Sequence, residues 1–246
     1  MLIIPVKKII SLFVQNFFDL SLIIIYKINL FIPQKYCFNF WLFIVRRKFI
    51  NFDKSNNNAH LKYALNLNVI LNTIAKQHKE FHIPYSITGQ EKINPNESSI
   101  FISVHLPLNK VALCAFEDSG YPLKSIIANY SDKGDEMAIW GTKRTIPVIL
   151  GNSQSFVKAK NALKIGNLGL LVDNGKESLN PNIFFLSQKL NKKVYFISTV
   201  LAKDFSVEIK FKSLPFPYSL DILEIEQNIK FIKDEVKLIY DNYSTF

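Results

Sequence analysis

The period of the apolar positions changes along the chain, and the changes divide it. Residues 9–26 are strongly apolar, bracketed by Lys7 and Lys8 before and Lys27 after. Ser11, Gln15 and Asp19 recur every four residues, so a helix would line them along one polar stripe. That stripe departs from an uninterrupted membrane span of about 20 apolar residues, and no small-residue cleavage site of a signal peptide follows. The segment reads as a membrane-embedded or interfacial helix, with spanning as the second option. Tyr63, Leu67, Ile70, Leu71 and Ile74 step at helical spacing, predicting an amphipathic helix over 58–81 that Pro84 stops.

Short β-branched runs then alternate with helical patterns. Strands are expected at 85–88, 100–104, 123–128, 146–150, 168–172, 193–201 and 207–211. Helices are expected after Pro107, from a Ser153 cap to about Ile165 with Gly166 as a left-handed terminator, and over 183–190. Apolar residues from Ile222 to Ile239 at steps of three and four, with Asp221 and Glu224 as a capping pair, mark a terminal helix. Alternation of this kind argues for an α/β fold with a mainly parallel sheet flanked by helices. The polar stretch 51–58 reads as a linker. It divides the chain into membrane-associated helices at 1–50 and an α/β domain at 51–246.

Composition sharpens the partner question. Of 246 residues 48% are hydrophobic, 21 are Phe, and 30 Lys plus Arg outnumber 20 acids for a net charge of +10. A basic, apolar protein suits an anionic lipid surface or an acidic carrier protein. Phe38, Phe40, Trp41 and Phe43 ahead of Arg46-Arg47-Lys48 fit an anionic membrane surface, or else a helix pair packed on the domain with a solvated basic end. The basic residues are dispersed and match no nucleic-acid-binding module, so no nucleic acid is expected. Cys37 and Cys114 lie in apolar surroundings and read as buried thiols of a reducing compartment. His78 and His82 are four apart but have no third ligand at recognisable spacing, so no metal is expected.

The chemistry-bearing candidate is His105, at the carboxyl end of the 100–104 strand, where α/β sheets bind ligands. Its side chain suits a general base; a merely hydrogen-bonded strand-end histidine is the structural alternative.

Five pieces in order resemble the lysophospholipid acyltransferase superfamily, and most nearly its lipid A biosynthesis branch. They are Ser86 to Glu91 with its Gly-x-Glu step, Ile100 to Asn109, Gly120-Tyr121-Pro122, Ser155 to Asp173, and Val194 to Phe211. The resemblance implies a membrane-associated acyltransferase on the cytoplasmic face of the inner membrane. It would move an acyl group from acyl-carrier protein or coenzyme A to a glycolipid or related amphiphile, with no cofactor. It makes His105 the base. Asn109, Lys143, Arg144, Asn174 and Lys176 would contact substrate, the basic ones through phosphate. One departure stands out. The family places an acid five residues after the histidine, and here that residue is Lys110. An ammonium accepts no N–H from an imidazole. A working site therefore needs another carboxylate, and Asp173, ending a strand of the same sheet, is the first candidate, with Glu117 and Asp118 behind it. The competing reading keeps the fold and discards the chemistry, as an inactive lipid-binding or complex-forming relative.

Overall fold

The computed structural model describes residues 24, 27–50, 59–75, 80–128, 135–173, 179–218 and 221–244. Two helices come first, α1 (Cys37–Ile50) and α2 (Ala59–Ala75). Then follow β1 (Tyr85–Thr88), β2 (Ile100–Ser103), α3 (Val111–Asp118), β3 (Leu123–Ala128), β4 (Glu136–Ala138) and β5 (Thr145–Leu150). The rest is α4 (Ser155–Ile165), β6 (Asn167–Leu171), α5 (Asn182–Leu190), β7 (Val194–Leu201), β8 (Val207–Ser213) and α6 (Ile222–Ser244).

The strands form one eight-stranded sheet in the order β1-β8-β7-β2-β6-β3-β5-β4. All its pairings are parallel except β7 with β8 and β4 with β5. The expected α/β, mainly parallel architecture is therefore present. Every residue of β2 and β7 is buried, as central strands covered on both faces require. β8 alternates buried and half-buried positions. Phe101 of β2 gathers Phe116 of α3, Tyr195 of β7 and Phe211 of β8 into one aromatic cluster, with ring centroids 4.8 to 5.9 Å away.

Several local expectations change. Helix α4 starts at Ser155, and its first turn is closed by Asn152, whose Oδ1 accepts from the Gln154 N–H, rather than by Ser153. Gly166 is extended, not left-handed. Strand β4 lies in the stretch 130–145, which its polar composition hid. The terminal helix does begin at the Asp221 cap, whose Oδ1 accepts the Glu224 N–H at 2.9 Å.

The largest correction concerns the aromatic stretch of α1. Phe38 and Trp41 are buried in the same hydrophobic core as the sheet, with Cys37, Leu42 and Val45. The Trp41 indole and the Cys37 thiol both donate to the buried Asn29 side chain. Arg46 lies over the Phe205 ring at 4.0 Å. These rings are core, not a membrane belt; Phe43 alone of the four stands more than half exposed. The side chains of Arg47 and Lys48, and the apolar run 9–23, lie outside the described residues. Among the described residues no helix is long and apolar enough to cross a membrane.

Gly89 shows why one motif residue must be glycine. Its φ is +81°, and a Cβ there would meet the Phe211 carbonyl oxygen at 2.0 Å. Gly89→Ala should therefore cost about 2 kcal/mol or more in urea unfolding, whereas the open Gly120, with a similar φ but no close neighbour, should cost less.

Cys114 is buried and donates its S–H to the Trp140 carbonyl. Burial, then the charge of Asp118, pushes this thiol from 9.0 up to about 12. A folded-state value above the unfolded one adds stability that is complete below the lower value and lost as pH rises toward the upper one. Folding stability should fall as pH rises through the window from 9.0 to about 12, and more steeply in the native chain than in Cys114→Ala, read by chemical denaturation along a pH series.

Candidate active site

β2 and β6 pair in parallel, with Ser103 opposite Leu171. Two residues past that pair the register brings His105 opposite Asp173. The contact is made: His105 Nδ1 lies 2.9 Å from Asp173 Oδ1. The His105 backbone N–H also donates to both carboxylate oxygens at 3.1 Å. One residue thus grips the carboxylate with two groups, leaving Nε2 outward. The His105 side chain is 56% exposed and that of Asp173 16%. With Asp173 ionised, Nδ1 carries the proton and Nε2 is the acceptor, the tautomer a general base needs.

A tight turn aims the histidine. Leu106 N–H donates to the Val104 carbonyl at 2.7 Å, closing a three-residue turn with His105 at its apex. Pro107 does not open the helix, as its place had suggested. A turn occupies 107–110, and α3 starts at Val111. Leu108 in that turn is left-handed, φ 64°. Asn68 of α2 accepts its N–H at 3.0 Å, and Thr199 of β7 donates to the Pro107 carbonyl at 3.1 Å. A buried, left-handed leucine persists because those neighbours over-determine it.

Beneath His105 lies a cavity of about 360 Å³, within the range of small-molecule sites. Its walls come from β2, β3 and β6, from Leu113 and Phe116 of α3, and from Trp140. Leu65, Asn68 and Asn72 of α2 and Tyr240 of α6 complete it. Among the described residues no carboxylate is in the lining. Trp140 Nε1 is buried without a hydrogen-bond partner. Burial, then the charge of Asp173, raises the Tyr240 phenol above its ordinary value.

The other expected site residues divide. Asn109 lines the cavity, but its Nδ2 donates to the Val104 carbonyl at 3.0 Å and its Oδ1 lies 3.1 Å from the Ser103 hydroxyl. It braces the histidine turn. Lys143 faces Glu80 at 4.0 Å, Arg144 donates to Glu117 at 2.6 Å, and neither lines the cavity. Both reserve carboxylates are likewise engaged elsewhere, Glu117 with Arg144 and Asp118 with the Tyr85 hydroxyl. Lys110 Nζ donates to Asn72 Oδ1 at 3.1 Å. Asn174, Lys176 and His78 lie outside the described residues; His82 is exposed. Sequence reading missed Asn68, Asn72, Trp140 and Tyr240. The signal for the first two was present: amides four apart on a helix share a face.

No protein-family model matches this chain, and no curated protein does. Among solved structures, the chain is similar to the 1-acyl-sn-glycerophosphate (LPA) acyltransferase PlsC from Thermotoga maritima. The identity is 15% over 93% of this chain and 98% of that one, with a TM-score of 0.43.

Asn109→Ala should cost about 1–3 kcal/mol in equilibrium unfolding, because it strips a partner from the Val104 carbonyl. Lys143→Ala, an exposed change, should stay within about 0.5 kcal/mol.

Proposed function

We propose that the protein is an acyltransferase acting on a lipid, with His105 as general base and Asp173 as the group that orients it. The observation that carries this reading is the His105–Asp173 contact at 2.9 Å above a mostly apolar cavity. An acyl chain fits the cavity's apolar walls, which would place its thioester carbonyl near Nε2. The acceptor hydroxyl then loses its proton to Nε2 as its oxygen attacks the carbonyl carbon. The C–S bond breaks, and the imidazolium returns the proton to the departing thiolate. Asp173 stabilises the imidazolium between these events.

The donor we assign is an acyl-carrier-protein or coenzyme A thioester, and the acceptor a glycolipid or related amphiphile. The residue pattern resembling the lipid A branch supports both. We place the protein at the cytoplasmic face of an inner membrane, attached through the apolar amino-terminal segment, whose sequence supports that placement. The inactive-relative reading draws on Lys110 in the acid's place; the Asp173 carboxylate beside His105 supports the active one.

Purified protein offered acyl thioesters and an amphiphilic alcohol should transfer the chain. His105→Ala should abolish transfer. Asp173→Asn, which keeps the shape and disturbs the tautomer, should lower the rate by about a hundredfold to ten-thousandfold. Transfer that survives His105→Ala would remove His105 as the base. Absence of transfer from every thioester offered to the intact chain would favour the inactive relative.

A further inference from the structure

A second cavity lies at the edge of the sheet away from His105. We propose that it is a binding site for a diphosphate group, held by Lys160, Lys164 and Lys192.

The cavity has a volume of about 620 Å³, within the range of small-molecule sites. It forms where the segment before β2 and the start of β6 meet the carboxyl ends of α4 and α5. His105 follows the opposite end of β2, so at strand rise roughly 20 Å separates the two places. The cavity is therefore no part of the site around His105. Its floor is fixed by backbone bonds. Ile100 N–H donates to the Lys193 carbonyl at 2.9 Å and Leu168 N–H to the Ser99 carbonyl at 3.0 Å. Asn167 Oδ1 accepts the Ser99 N–H at 2.9 Å.

Three ammoniums line this space from two sides. Lys160 and Lys164 are four apart on α4 and share a face. Lys192 comes from the turn after α5. Among the described residues none of the three makes an ion pair. Glu97, the one carboxylate among the described lining residues, is bridged at 3.4 Å by Lys193, which lies outside the lining. The neutral polar groups are mostly committed to backbone: Ser98 Oγ donates to the Leu163 carbonyl at 2.6 Å, and Asn167 serves Ser99.

Helix carboxyl ends attract cations, and Lys164 in the last turn of α4 fits that role. That role does not account for the set. Lys160 lies a turn earlier, and Lys192 lies beyond α5. The helix ends are also closed by backbone, Gly166 N–H donating to the Ala162 carbonyl and Lys192 N–H to the Ser187 carbonyl, both at 3.1 Å. Like charges around one cavity repel, and an anion between them turns repulsion into attraction. A single phosphate engages one wall. Two linked phosphates reach α4 and Lys192 together, through charge-assisted bonds. The free inorganic ion and a nucleoside diphosphate both carry this group; Leu163 and Leu190 in the lining leave apolar surface for the organic part of the latter. This inference concerns binding alone and does not rest on acyl transfer.

The test is calorimetric titration of the full chain, at fixed ionic strength, with inorganic diphosphate, ADP, AMP and inorganic phosphate. Diphosphate or ADP should bind about tenfold or more tightly than phosphate. ADP tighter than diphosphate names a nucleoside diphosphate as the ligand; diphosphate as tight or tighter names the inorganic ion. Lys160→Gln and Lys192→Gln, one from each wall, should each weaken the better ligand about fivefold or more. Lys158→Gln, on the same helix but outside the cavity, should change it by less than about twofold. Should a variant not fold by circular dichroism, the native chain supplies the same reading: diphosphate should protect Lys160, Lys164 and Lys192 from acetylation, read by mass spectrometry, and leave Lys158 reactive. Absence of binding, phosphate as tight as diphosphate and ADP, a Lys158→Gln loss equal to that of Lys160→Gln, or protection spread evenly over the four lysines would overturn the proposal. Inactivity at His105 leaves a positive result standing, and failure here leaves the His105 assignment untouched.

Discussion

The parallel register between β2 and β6 is the constraint on which the candidate site depends. Ser103 opposite Leu171 leaves His105 opposite Asp173 two residues later, so the pair is delivered by backbone hydrogen bonds rather than by long side chains searching for each other. The register continues past the strands, where Val172 N–H donates to the Ser103 carbonyl at 2.9 Å. A slip by one residue would turn every side chain of β6 to the opposite face. It would take the carboxylate from the histidine and the apolar wall from the cavity together. Burial of β2 on both faces makes such a slip expensive, so fold and site share one determinant.

The cavity is the complement of that rigidity. Buried positions of β2, β3, β6 and α3 surround a cavity of about 360 Å³. Voids in a close-packed interior forfeit dispersion contacts. The buried Trp140 Nε1 without a partner adds a second unmet demand beside the same space. A cavity lined mostly by apolar side chains gains dispersion contacts from an occupant that brings apolar surface.

Much of this was legible in the chain. Strand-and-helix alternation fixes a parallel sheet, and in such a sheet the strand ends share an edge; that reasoning alone singles out Asp173 as a partner for His105. The aromatic residues of α1 were not legible in the same way. Membrane belts and protein cores both select Phe and Trp, and only the contacts of Phe38 and Trp41 with the core and with Asn29 tell them apart. The surroundings of Lys143 and Arg144 were hidden for a related reason. A basic pair in sequence carries no sign of the Glu80 and Glu117 that face it from distant segments. Pro107 was misplaced because its fixed φ suits a turn as well as a first helical turn. The Asn68 and Asn72 pair needed the position of the Leu108 turn before its meaning showed.

The exchange of charge at position 110 follows from the same geometry. A histidine whose acid is supplied from the start of the next helix cannot accept a lysine there, because the imidazole would lose its acceptor and gain a neighbouring cation. Here the carboxylate comes from a strand end, held by the His105 backbone N–H as well as by its ring. It therefore keeps its orientation whatever occupies position 110. Asn72 draws the ammonium onto α2. The polar groups thus divide between two walls: His105 with its carboxylate on the sheet edge, and the Asn68 and Asn72 amides with Lys110 on the α2 side, with apolar surface between.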